Sequence, residues 1–162
     1  MRPLVLVGPP GSGKTTVGRI LAERRGVPFV DLDAAVEERH GSIGELLMEQ
    51  GSAAAAIRAL EVLGDELREG IVMAASSSVT GGEGAASALT GADVVYLAAD
   101  LAHTFPRAGL TAPQPVGFFG TRAMWKAMLD ERDPGYRSLA SAVVDVGDLD
   151  PEGVADAVEA AL

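Results

Sequence analysis

The chain has 162 residues, no cysteine, and 23 acidic against 13 basic side chains, a formal charge of -10 at pH 7. Such a length supports one domain burying roughly two thirds of its unfolded surface, and the missing cysteines exclude disulfides and thiolate metal sites. The acidic excess sets the average surface against nucleic acid phosphates and anionic lipid, so neither partner is expected, and a phosphorylated ligand must be held by local cations and backbone N–H groups.

Hydrophobic residues make up 48% and charged residues 22%, ordinary globular usage. No apolar run approaches the ~20 residues that span a bilayer, and MRPLVLVGPP runs straight into a glycine loop. A cytoplasmic monomer without a targeting segment is therefore expected.

Leu4-Val5-Leu6-Val7 is a β-rich run bounded by proline and glycine, the pattern of a central parallel strand. From Thr15, Val17, Ile20 and Leu21 recur at helical spacing until Arg24-Arg25-Gly26 closes the helix. A second strand begins at Pro28-Phe29-Val30 and is predicted to run through Asp31-Leu32-Asp33. Residues 34–69 have a helical pattern with breaks near Gly41 and Gly51, the reading of a helical insertion between strands. Further strands are predicted at Ile71 to Ala75, Asp93 to Leu97 and Ala142 to Val146, with a closing helix from Pro151 to Leu162. Alternating strands and helices predict an α/β fold: five parallel strands covered on both faces, in three layers. Residues 107–120, RAGLTAPQPVGFFG, have no sustained period; they read as a lid or as a passive surface loop.

Gly8 to Thr15, GPPGSGKT, matches the phosphate-loop pattern G-x-x-x-x-G-K-[ST] between a predicted strand and a predicted helix. Gly11, Ser12, Gly13, Lys14, Thr15 and Thr16 are the candidate nucleotide contacts: glycines let backbone N–H groups converge on phosphate, and the helix start adds positive potential. Lys14 can reach the outer phosphates, and the Thr15 hydroxyl can ligate Mg²⁺. ATP and Mg²⁺ are thus the expected cofactors.

Asp31 and Asp33 close the second predicted strand, at the end where open parallel sheets bind ligands. Period-2 alternation would point both carboxylates the same way, one toward a metal and one toward an acceptor hydroxyl whose proton it takes. The alternative reading, for Asp33 alone, is a cap for a helix starting at Ala34.

The stretch GPPGSGKTTVGRILAERRGVPFVDLDAAVEERHG resembles the N-terminal third of a shikimate kinase, and IRALE, DVVYL and DERDPGYRSLA continue the likeness more weakly. The resemblance implies a nucleoside-monophosphate-kinase-like P-loop fold in one domain, 1–162, with a substrate-binding insertion near 34–69 and a lid near 107–120. It implies transfer of the γ-phosphate of MgATP to the 3-hydroxyl of shikimate. Lys14 and Asp33 then act in catalysis, Asp31 and Thr15 on the metal, and Asp33, Arg58 and Arg132 on the acceptor, the two arginines taking its carboxylate. Guanidinium forks suit a planar carboxylate, although Arg58 and Glu61 read without the family as an exposed i, i+3 pair.

Three stretches depart from the family. Ser76-Ser77-Ser78 stands where the family has consecutive glycines near the acceptor and γ-phosphate, so a Cβ is expected to obstruct positive φ and close approach while N–H and hydroxyl donors remain. Ala112-Pro113 and Gln114-Pro115 replace the lid's Arg-Pro pair, leaving Arg107 or Arg122 as substitutes. Gly51-Ser52 and four alanines replace bulkier family residues, which predicts a roomier acceptor pocket. Alongside the kinase reading stand a paralogue impaired in transfer that binds nucleotide and acts through a partner protein, and a kinase with a changed acceptor. His40 and His103 read as isolated surface or cap residues, Trp125 as core packing, and Phe118-Phe119 as a lid anchor or a helix contact.

Overall fold

The computed structural model describes residues 1–111 and 122–162. Leu4–Val7 (β1), Phe29–Asp31 (β2), Val72–Ala74 (β3), Asp93–Ala98 (β4) and Ala142–Asp145 (β5) form one sheet in the order β2-β3-β1-β4-β5, with every neighbouring pair parallel. The helices are Lys14–Arg25 (α1), Leu32–His40 (α2), Ile43–Glu66 (α3), Glu83–Ala88 (α4), Leu101–Thr111 (α5), Arg122–Leu139 (α6) and Pro151–Ala161 (α7).

Strand alternation divides the core in two. Leu4 and Leu6 point to one face with Val95 and Leu97, packing against Val17 and Leu21 of α1 and Val154 and Val158 of α7. Val5 and Val7 point to the other with Met73 and Tyr96, against Val36, Val62 and Leu63 of α2 and α3 and Tyr136 of α6. Each leucine or valine fully buried this way contributes about 1.5–3 kcal/mol, far above exposed ion pairs such as Arg24 with Asp156 and Glu159 across α1 and α7. No described helix is long and apolar enough to cross a membrane.

Register brings distant segments to one level. Asp31 pairs with Ala74, and Ala74 with Leu6, so the ends of β2, β3 and β1 emerge side by side. The glycine loop follows β1 and the serines follow β3.

Several sequence expectations change. The second strand ends at Asp31, and the Asp31 carboxylate caps α2 by accepting from the Ala34 N–H at 3.3 Å. Asp33 therefore lies in the first helical turn, and strand alternation does not relate the two carboxylates; the capping role considered for Asp33 belongs to Asp31. The break expected near Gly51 lies inside α3, where Gly51 has φ 85° and ψ 173°. Helix α5 runs to Thr111, so helical order enters the segment expected to be a loop from Arg107, and the remainder, with Pro113, Pro115, Phe118 and Phe119, lies outside the described residues. His103 is not isolated: its ring nitrogens meet Asp100 at 2.6 Å and Asp148 at 3.0 Å. Trp125 packs as expected, buried against Phe105, with its Nε1 donating to the Thr104 hydroxyl at 2.9 Å.

Candidate active site

The glycine loop leaves β1 through Gly8, whose φ of 152° places its Cα against the β4 end; a Cβ there would meet the Leu97 carbonyl oxygen at 2.8 Å. Gly13, with φ 91°, is the N-cap of α1 and supplies no side-chain cap, so the first N–H groups of that helix stay available to an anion. Gly11 is also at positive φ, 79°. Ser12 is buried, and its Oγ has no partner among the described residues. Thr15 and Thr16 are exposed at the helix start.

Lys14 folds over the loop and donates to the carbonyls of Gly8 and Pro9 at 2.9 Å each. Burial pushes its ammonium down to about 8, opposed by the charges of Asp33 and Asp31 and assisted by Arg132. Asp33 is held above the usual carboxylate range by burial, against the pull of the Ser76 hydroxyl and Lys14. Its Oδ1 is buried without a hydrogen-bond partner among the described residues. Thr15 donates its hydroxyl to Asp31 Oδ2 at 2.9 Å, which sets two hard oxygen ligands, the type magnesium takes, at the edge of the loop.

The serines form a tight turn closed by the Val79 N–H donating to the Ser76 carbonyl at 3.0 Å. Ser76 Oγ lies 2.8 Å from Ser78 Oγ and also accepts from the Ser78 N–H at 3.4 Å. No described residue other than glycine has positive φ, so this turn does not demand glycine for its dihedrals, and the expected conflict between serine and positive φ does not arise.

Helix α6 holds the turn in place. The Ser77 carbonyl accepts from Tyr136 OH at 2.6 Å and from Arg132 Nη1 at 3.2 Å. Gly135 lets the helix approach, since a Cβ there would run into the Thr80 carbonyl. Tyr136 is buried, its ring 5.2 Å from that of Tyr96, and burial pushes its phenol up to about 12, so it remains a donor.

These groups border a cavity of about 990 Å³ between α2, α3 and α6, with Asp33, Ser76, Ser77, Ser78 and Arg132 on its wall. Ala53, Ala55, Ala56 and Ala59 line its α3 side. Arg58 is the acceptor-binding candidate not brought to this wall: its Nη1 meets Glu61 Oε2 at 3.0 Å, both side chains about half exposed. Sequence reasoning missed the Ser77 carbonyl and Tyr136. The signal for Tyr136 was present, because it follows Arg132 by four residues and so shares its helix face.

A phosphate-binding loop, two carboxylates and a guanidinium thus stand close to one cavity. The family model described as shikimate kinase matches residues 10–162. The shikimate kinase of Thermobifida fusca is 39% identical over 161 residues, covering 97% of this chain and 93% of that protein. That of Salinispora arenicola is 40% identical over 160 residues, covering 98% and 96%. The solved shikimate kinase of Acinetobacter baumannii in complex with shikimate superposes with a TM-score of 0.86 at 26% identity, covering 98% of this chain and 91% of that one. With a P-loop kinase fold and a likeness that spans nearly its whole length, the chain belongs to the shikimate kinase family.

Proposed function

We propose that the chain transfers the γ-phosphate of ATP to a hydroxyl of shikimate. The observation that carries the reading is the proximity of Lys14, Asp33 and Arg132: the Lys14 ammonium feels both of the other charges, and Asp33 and Arg132 lie on the cavity wall. The uncapped start of α1 and Lys14 bind the phosphates. Asp33 orients the acceptor hydroxyl and takes its proton as the new O–P bond forms, while the bond between the γ-phosphorus and the bridging oxygen breaks and ADP leaves with that electron pair. A carboxyl held above its usual range by burial is a stronger base than an exposed one. Arg132 pairs with the acceptor carboxylate. Thr15 and Asp31 would hold Mg²⁺, directly or through water; the ion supplies charge neutralisation on the phosphates.

The second reading, a nucleotide-binding paralogue impaired in transfer, is favoured by one observation: the Ser76, Ser77 and Ser78 side chains stand on the cavity wall. The test is coupled ADP release with MgATP, with and without shikimate, using Lys14→Ala as the blank. Shikimate-dependent turnover that disappears in the variant supports the kinase reading; ATP binding with no turnover refutes it. In the latter case, glycines at 76–78 would restore turnover if those side chains were the obstacle.

A further inference from the structure

We propose that the cavity accepts a hydroxylated carboxylic acid bearing an apolar substituent, and that such an acceptor is preferred over unsubstituted shikimate; this rests on the kinase reading above. Apart from Ser52, Thr80 and Glu131, the polar groups of the wall form one connected cluster. Ser76 and Ser78 bond each other, Ser76 acts on Asp33, and Arg132 bonds the Ser77 carbonyl. The opposite walls are hydrocarbon: Ile43, Leu46 and Leu47 from α3, and Met124 and Met128 from α6. A compact acid with several ring hydroxyls would satisfy the polar cluster and leave any hydroxyl that faces these apolar side chains unpaired, which is costly.

Three further observations point the same way. The volume, about 990 Å³, lies at the upper end of the ~300–1,000 Å³ of cavities that take drug-sized ligands. The α3 wall is built from alanines at 53, 55, 56 and 59, which project no long side chain into the space. Leu47 lines the cavity yet stays 36% exposed, apolar surface that an alkyl group would cover. Charge fixes the orientation: Glu131 on the α6 side repels a carboxylate, whereas Arg132 attracts one, so the acid lies at the polar cluster and the substituent reaches toward α3.

The reaction is unchanged by the substituent: the acceptor oxygen gains phosphorus, Asp33 receives the proton, and ADP departs. A suitable probe keeps the carboxylate and the reacting 3-hydroxyl, such as the 5-O-butyl ether of shikimate. Steady-state kcat/KM is measured for shikimate and for this ether with saturating MgATP, and binding calorimetry on the same two compounds reads the cavity apart from transfer. The expected result is a preference for the ether of about tenfold or more in kcat/KM, since each methylene placed in an apolar pocket is worth severalfold to tenfold. Ala53→Phe, on an exposed part of the wall, and Ala56→Phe should each bring the ether-to-shikimate ratio toward one. Turnover of shikimate with an equal or poorer rate for the ether overturns this inference and leaves the kinase reading standing. Tighter binding of the ether with no transfer to either compound overturns the kinase reading and upholds the preference of the cavity. Binding of neither compound overturns both.

Discussion

Replacing Tyr136 with phenylalanine removes one hydroxyl and leaves the ring in place against Tyr96. The lost bond, 2.6 Å to the Ser77 carbonyl, joins two neutral groups, and such a bond contributes about 0.5–1.5 kcal/mol net. The carbonyl retains Arg132 as a donor at 3.2 Å, so it is not stranded, and a loss near 1 kcal/mol is expected. For a chain of 162 residues this corresponds to a Tm lower by about 2–4 °C. The kinetic effect should exceed the thermal one. The serine turn and the Arg132 guanidinium share that carbonyl, and a displacement approaching ~1 Å costs up to about a hundredfold in rate. Loss of one of two anchors should reduce kcat/KM for the acceptor about tenfold while KM for MgATP changes less than about twofold, because Tyr136 bonds the Ser77 carbonyl whereas Lys14 bonds the Gly8 and Pro9 carbonyls of the glycine loop. Steady-state kinetics with each substrate varied in turn, beside a thermal melt, tests both parts. A lower Tm with unchanged acceptor kinetics would refute the claim that Tyr136 positions the site.

Three other outcomes are expected. Lys14 is protonated below about pH 8, so apparent ATP affinity should be highest below that pH and fall as pH rises above it, since bound phosphate favours the ammonium; Lys14→Met should bind weakly with no such slope in calorimetric titrations. Gly51→Ala should lower stability by about 1–3 kcal/mol through the backbone alone, as φ 85° and ψ 173° are accessible essentially to glycine and no atom of the described residues lies within 4 Å of the added Cβ; an unchanged melt would contradict the kink. His103 is raised above its ordinary value by Asp148 and then Asp100, so the stability it contributes is fully present below the unfolded value of about 6.5 and is lost as pH rises through the folded one. Melts recorded between pH 6 and 9 should show this decline in the wild type and a flatter profile in His103→Gln.

Much of the fold is legible locally. Four consecutive β-formers before a glycine loop specify a buried parallel strand, and GPPGSGKT specifies where phosphate can sit, because uncapped N–H groups and a lysine are properties of a short segment. Even the breaks at Gly41 and Gly51 could be read, since glycine is the residue that tolerates those dihedrals. The boundary at Asp31 could not. Its carboxylate serves as a helix cap in competition with continued strand pairing, and β3 offers partners only as far as Asp31 opposite Ala74.

The composition of the site is a different matter. That Lys14, Asp33, Ser76 and Arg132 meet depends on β3 lying between β1 and β2, and on α6 approaching the serine turn through the gap left by Gly135. Sequence spacing says nothing about either. The serines illustrate the division: as residue types they predicted conflict with a glycine turn, whereas the dihedrals of the folded turn are ones any residue adopts. Local chemistry determined which groups the chain possesses; long-range packing, which sets register, approach and burial together, decided which of them share a cavity and how strongly each holds its proton.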